Sequence, residues 1–248
     1  MAERIALVTG GTGGIGTAIC RRLADDGCRV AAGDVNTTTE RAAAWLREQR
    51  ADGYDFALVE LDVTSFPSCA DAIRDVEVSV GPIDVLVNCA GVTRDGTFRK
   101  MDADQWSAVL TTNLDSVFNV TRQVVDGMTE RGFGRIVNIS SVNGQKGQFG
   151  QTNYSAAKAG MHGFTMALAQ EVAAKGVTVN SISPGYVGTQ MVMAIPEEVR
   201  NQIVAQIPVG RLGRPEEVAA AVAFCASEDM GFMTGANIAL NGGLHMQF

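Results

Sequence analysis

Thr9-Gly10-Gly11-Thr12-Gly13-Gly14-Ile15-Gly16 is the stretch whose reading decides the fold. It follows the apolar run Ile5 to Val8 and leads into a segment of helical spacing, Ala18 to Asp26. A glycine-rich turn between a strand and a helix lets the backbone approach a phosphate closely. The helix then points its free N–H groups and positive dipole end at the anion. Glycines also make ordinary tight turns, but this position, after the first strand and opening a helix, is the context a dinucleotide site requires. Gly10, Gly14, Ile15 and Gly16 are the candidate contacts.

Outward from this turn the same alternation repeats. Apolar runs fall at Arg29 to Gly33, Phe56 to Leu61, Val85 to Asn88, Arg135 to Ile139, Thr178 to Ile182 and Asn237 to Leu240. Longer segments such as Ala42 to Arg50 separate them and suit crossover helices. Strand and helix in alternation imply a parallel sheet covered on both faces, and right-handed crossovers make it doubly wound. The expectation is one α/β domain over residues 1–248, a Rossmann-type parallel sheet of seven strands. Residues 187–208 lack a clear strand; a substrate lid and an ordinary helical excursion both fit them.

The chain of 248 residues is 46% hydrophobic and 19% charged, a globular mixture with enough length for an ample core. Its net charge of −7 and the lack of a basic run argue against a nucleic-acid partner. No apolar stretch is long enough to span a membrane. Met1-Ala2-Glu3-Arg4 runs straight into the first strand without an export signal, so a cytoplasmic protein is expected. The five cysteines form no Cys-x-x-Cys pair and the two histidines are far apart, so no metal site is expected.

Asp34 ends the second strand, 18 residues past Gly16, where an acidic residue accepts from the adenosine ribose hydroxyls. A carboxylate there repels a 2′-phosphate, and the glycine turn has no basic residue to neutralise one. Both features favour NADH, with NADPH a weaker alternative because Arg41 lies a few residues on. Asp34 as a plain helix cap is the competing reading. Asp62 and Val63, at the end of the third strand, suit the adenine, though a turn-initiating Asp62 fits the spacing as well. Asn88, Ala90 and Gly91 follow the fourth strand, where small residues let the backbone lie against a ribose.

Ser141 closes the fifth strand, Tyr154 comes thirteen residues later, and Lys158 lies one helical turn beyond. An ammonium beside a phenol is expected to lower the phenol's pKa from its usual ~10. Tyr154 would then exchange a proton with a substrate oxygen, and Ser141 would hold that oxygen by a second hydrogen bond. Asn113 is a candidate anchor for a water that resupplies the proton through Lys158.

Thr9 to Gly16, Asn88 to Gly91, Asn113, Ser141, Tyr154, Lys158 and Pro184-Gly185 together resemble the short-chain dehydrogenase/reductase superfamily over essentially the whole chain. The resemblance implies that Pro184, Gly185 and Thr189 contact the nicotinamide. It also implies a homotetramer built on the helices around 113–128 and 153–173. Within the superfamily, Asn138 to Tyr154, Phe98 to Met101 and Asn241 to Met246 resemble the acetoacetyl-CoA reductases of polyhydroxybutyrate synthesis. That likeness implies reduction of acetoacetyl-CoA to (R)-3-hydroxybutyryl-CoA. It implies Gln148, Phe149, Gln151, Gly185 and Tyr186 as substrate contacts beside Ser141 and Tyr154. Such reductases commonly use NADPH, and Gly33-Asp34-Val35 departs from that pattern. A 3-oxoacyl-(acyl-carrier-protein) reductase shares the same catalytic set. Arg94, Arg99 and Lys100 suit either an acidic carrier or the phosphates of coenzyme A. A ketone or sugar-alcohol dehydrogenase and a dinucleotide sensor without turnover are further alternatives.

Overall fold

Strands buried on both faces read as continuous apolar runs, and here they form the centre of a single sheet. The computed structural model describes residues 3–246. Met1 and Ala2, at the head of the stretch read as carrying no export signal, lie outside the described residues, as do Gln247 and Phe248. The strands are β1 (Ile5–Thr9), β2 (Arg29–Asp34), β3 (Ala57–Glu60), β4 (Ile83–Asn88), β5 (Gly134–Ile139), β6 (Val177–Pro184) and β7 (Asn237–Leu240). All pairings are parallel, in the order β3-β2-β1-β4-β5-β6-β7. This is the doubly wound α/β sheet expected from the alternation of runs.

Successive side chains along each strand feed opposite faces. Leu7, Leu86, Ile136 and Val179 pack on one face against Ile73 and Val76 of α3 (Phe66–Ser79) and Val120, Val124 and Met128 of α5 (Ser116–Arg131). Val8, Val85, Val137 and Ile182 pack on the other against Ile19 and Leu23 of α1 (Gly14–Asp25) and Val218 and Val222 of α10 (Pro215–Ala226). Each fully buried aliphatic side chain contributes about 1.5–3 kcal/mol relative to exposure. The remaining helices are α2 (Glu40–Ala51), α4 (Ala103–Leu110), α6 (Val142–Lys146), α7 (Thr152–Val172), α8 (Gln190–Met193) and α9 (Glu197–Ala205).

Residues 187–208 carry two helices, α8 and α9. A single parallel bridge, Val187 to Gly213, ties the start of this segment to the approach to α10. Among the described residues no helix is long and apolar enough to cross a membrane.

The strand order reverses between β1 and β4, which opens a crevice at their carboxyl ends. The Thr9 hydroxyl spans it, accepting the backbone N–H groups of Cys89 and Ala90 at 3.0 Å each.

Candidate active site

The glycine turn lies over this crevice. Gly10 has φ +65°, and a Cβ there would come within 3.0 Å of the Ala90 Cα. A Cβ on Gly16 would sit 2.1 Å from the Gly10 carbonyl oxygen, so no side chain fits. The first turn of α1 carries no acidic residue and Gly13 caps it without a side chain. Its amides and dipole therefore stay available to an anion. A Cβ on Gly14 would lie 3.3 Å from the Thr189 methyl, so the turn and the start of α8 meet across the crevice. A pyrophosphate fits this cradle of bare backbone, with Thr189 at its far side.

Asp34 points back to the turn and accepts a hydrogen bond from the Thr12 hydroxyl. One oxygen of Asp62 is taken by the Thr64 amide (2.9 Å) and hydroxyl (2.7 Å), the turn-forming role. The Val63 carbonyl accepts from Asn119 at 3.0 Å, which leaves its N–H as the group it can offer an adenine. Asn88 is buried and donates to Thr121 (3.1 Å) and Asn138 (2.8 Å). Its amide thus belongs to a polar ladder inside the fold, and only its backbone is left for a ribose. Gly185, after β6, donates its N–H to the Leu240 carbonyl at 2.9 Å.

Ser141 caps α6, accepting the Asn143 N–H at 3.1 Å. Its hydroxyl also hydrogen-bonds Tyr154, which stands near the start of α7. Lys158 is 3% exposed and donates its ammonium to the Ile139 carbonyl at 2.7 Å. Its Nζ lies 5.6 Å from the Tyr154 ring centroid. Burial pushes the Tyr154 phenol up to about 12, with the Ser141 hydrogen bond pulling down and the Asp95 and Cys89 charges pushing up. This corrects the expected lowering by Lys158, because burial of the phenol outweighs it. Burial also lowers Lys158 to about 8, against a smaller upward pull from Cys89. At neutral pH the phenol keeps its proton, the state a proton donor needs.

Asn113 sits in a single π-turn, Thr111–Asp115, between α4 and α5. Its Oδ1 accepts the Val92 N–H at 3.1 Å, and its Nδ2 donates to the Val92 (2.8 Å) and Val109 (2.9 Å) carbonyls. A Cβ on Gly91 would lie 2.6 Å from this Oδ1 and 3.7 Å from Lys158 Nζ. Asn113 therefore borders the lysine, but both amide hydrogens are used within the fold. Its side chain braces the Gly91-Val92 wall.

Gln148 and Tyr186 share a cavity of about 300 Å³ with Lys146, α9 and Leu244. Gln151 is turned elsewhere, donating to Asp95 at 2.9 Å and accepting from Asn143 at 2.8 Å. Phe149, expected as an apolar wall, is 87% exposed and is not among the residues that line the cavity. Gly147 and Gly150, on either side of it in the chain, both have positive φ. Among the described residues no three His, Cys, Asp or Glu side chains gather to hold a metal.

The family model described as short chain dehydrogenase matches residues 4–200 of this chain. The chain belongs to the short-chain dehydrogenase family. Membership makes it an oxidoreductase that works with a nicotinamide dinucleotide, and the glycine cradle, the Thr189 contact and the Ser141–Tyr154–Lys158 set fit that cofactor. It is 62% identical to the acetoacetyl-CoA reductase of Allochromatium vinosum, over 98% of this chain and 99% of that protein. It is 62% identical to the acetoacetyl-CoA reductase of Cupriavidus necator, over 99% and 100%. Identity to a 3-oxoacyl-(acyl-carrier-protein) reductase of Vibrio cholerae is 42%, over 98% of each chain.

In this short-chain dehydrogenase, sequence reasoning missed Asp95, Asn143, Thr12 and Lys146. Asp95, Gln151 and Asn143 form a chain of amides whose direction is set by the carboxylate, since Asp95 only accepts. No spacing rule links residues so far apart; Thr12 alone had a signal, being a polar side chain inside the glycine turn.

Proposed function

We propose that this protein reduces acetoacetyl-CoA to (R)-3-hydroxybutyryl-CoA with NADH as the preferred dinucleotide and NADPH as a weaker one. The observation that carries the reading is the gathering of Ser141, Tyr154 and the buried Lys158, whose ammonium lies 5.6 Å from the phenol ring, beside a glycine cradle that admits no side chain. The names of the relatives at 62% identity support the substrate.

Gly10, Gly14, Ile15 and Gly16 hold the pyrophosphate, and Asp34, oriented by Thr12, takes the adenosine ribose. Asp62, Val63, Asn88, Ala90 and Gly91 lie along the adenosine side, and Pro184, Gly185 and Thr189 along the nicotinamide side. A bound nicotinamide dinucleotide supplies the hydride. Ser141 donates a hydrogen bond to the substrate's keto oxygen and positions it. Tyr154 gives its phenolic proton to that oxygen as the hydroxyl forms. Lys158, anchored on the Ile139 carbonyl, keeps a positive charge beside the phenolate left behind. Gln148 and Tyr186 border the thioester end.

The protein works as a homotetramer in the cytoplasm, and exposed Phe118 of α5 and Met166 of α7 support those helices as the contact surface. The test is steady-state kcat/KM for acetoacetyl-CoA with NADH and with NADPH, beside an acetoacetylated carrier protein. Turnover of acetoacetyl-CoA with a higher NADH value is expected. Preference for the carrier-linked substrate would replace this reading with the carrier-protein reductase.

A further inference from the structure

The turn that follows Asp34 is tied down by a second carboxylate. Asp34 and Glu60 are partners in register where β2 and β3 pair. Parallel partners sit on strands about 4.8 Å apart and send their side chains to the same face of the sheet. Each carboxylate then meets a threonine from a different turn. Asp34 accepts from Thr12 in the glycine turn, and Glu60 accepts from Thr37, between β2 and α2. Glu60 takes both donors of Thr37 on one oxygen: the hydroxyl, and the backbone N–H at 3.0 Å. Thr39, the cap of α2, spends its hydroxyl hydrogen on the Asn36 carbonyl at 2.9 Å and accepts the Ala42 N–H at 3.3 Å. Glu60 and Arg41, on the first turn of α2, are both exposed.

A phosphate on the 2′ oxygen of a ribose held by Asp34 has to lie beside this turn, because that oxygen is the one assigned to Asp34. A phosphate accepts N–H and O–H bonds and seeks cations. Thr37 carries both kinds of neutral donor, and both are committed to Glu60. We propose that Glu60 is a specificity-determining residue of the dinucleotide site, acting through Thr37 to deny a 2′-phosphate its donors. This rests on the NADH preference read from Asp34 and adds a second barrier to it. Asp34 repels the phosphate at the ribose; Glu60 keeps the adjoining turn closed to it. The two barriers are separate groups on separate strands, so removing Asp34 alone leaves part of the preference standing. Glu60 is assigned no contact with NADH, and its loss leaves that dinucleotide as it was.

Two fragments that differ only by the 2′-phosphate isolate the contact: adenosine 5′-monophosphate and adenosine 2′,5′-bisphosphate, each titrated by calorimetry. Glu60→Ala should tighten the bisphosphate about tenfold, the size of one charge-assisted contact, and leave the monophosphate within about twofold. Glu60→Gln keeps an acceptor for Thr37 while losing the charge, and should tighten the bisphosphate less. Thr37→Val in the Glu60→Ala background should cancel most of the gain, because the freed hydroxyl is gone. In steady-state assays kcat/KM for NADPH should rise with the bisphosphate affinity, and that for NADH should hold. A bisphosphate affinity unmoved in Glu60→Ala, or an equal change for both fragments, overturns the proposal. So does a gain that survives Thr37→Val in full, since Glu60 would then act without Thr37. A wild type that turns over NADPH better than NADH overturns the reading of Asp34 instead.

Discussion

The two ends of the crevice are built from different materials. The dinucleotide end is backbone: a turn in which Gly16 admits no Cβ, a helix start without acids, and strand ends clasped by Thr9. The other end is side chains from separated segments: Asp95, Gln151 and Asn143 in one chain of hydrogen bonds, and Lys146, Gln148 and Tyr186 around a cavity. A backbone site depends on which residues are absent, and a side-chain site on which are brought together. The first tolerates no added atom, whereas the second can be tuned one group at a time.

Substitutions at the two ends should therefore fail differently. Tyr154→Phe should cut kcat by about 10²–10⁴-fold while the dissociation constant for NADH, read by fluorescence titration, stays where it was. Gly16→Ala should do the converse, weakening dinucleotide binding by roughly 100-fold, because a methyl 2.1 Å from the Gly10 oxygen forces the turn apart. Intact circular dichroism with normal NADH affinity in that variant would break the contrast. Asp34→Ala should narrow the NADH-to-NADPH ratio of kcat/KM about tenfold, since it removes the charge that repels a 2′-phosphate. An unmoved ratio would assign Asp34 to the turn alone.

The smallest effect is in the pH profile. Burial holds Lys158 down at about 8 and pushes Tyr154 up to about 12. Below pH 8 both groups carry their protons. Between pH 8 and 12 the ammonium is lost while the phenol remains protonated. The reduction rate should decline severalfold as pH rises through about 8. The reverse oxidation, which needs the phenol without its proton, should climb toward alkaline pH. Initial rates in both directions across pH 6 to 10 check this, and oxidation peaking below pH 8 would contradict it.

What could be read from the chain beforehand follows the same division. The strands were legible because a buried parallel strand must be apolar along its length, as Val85-Leu86-Val87 is. The turn was legible because glycine is required there. The polar ladder through Asn88, Asn138 and Thr165 was not, since a buried Asn looks like a loop residue until its partners are known. The π-turn at Asn113 leaves no trace in hydrophobic spacing. The direction of the Tyr154 shift was misread because desolvation depends on how tightly the pocket closes, and spacing along a helix shows only who the neighbours are. Phe149 was expected as an apolar wall on its chemistry; its exposure of 87%, in a loop where Gly147 and Gly150 have positive φ, is not legible from the residue type.

The Thr9 hydroxyl, taking the N–H groups of Cys89 and Ala90 just past β4, acts as a rivet at the floor of the cleft. Prising that floor open would forfeit about 1 kcal/mol for each bond. The floor of the cleft is thus pinned at the point where the two strand ends part.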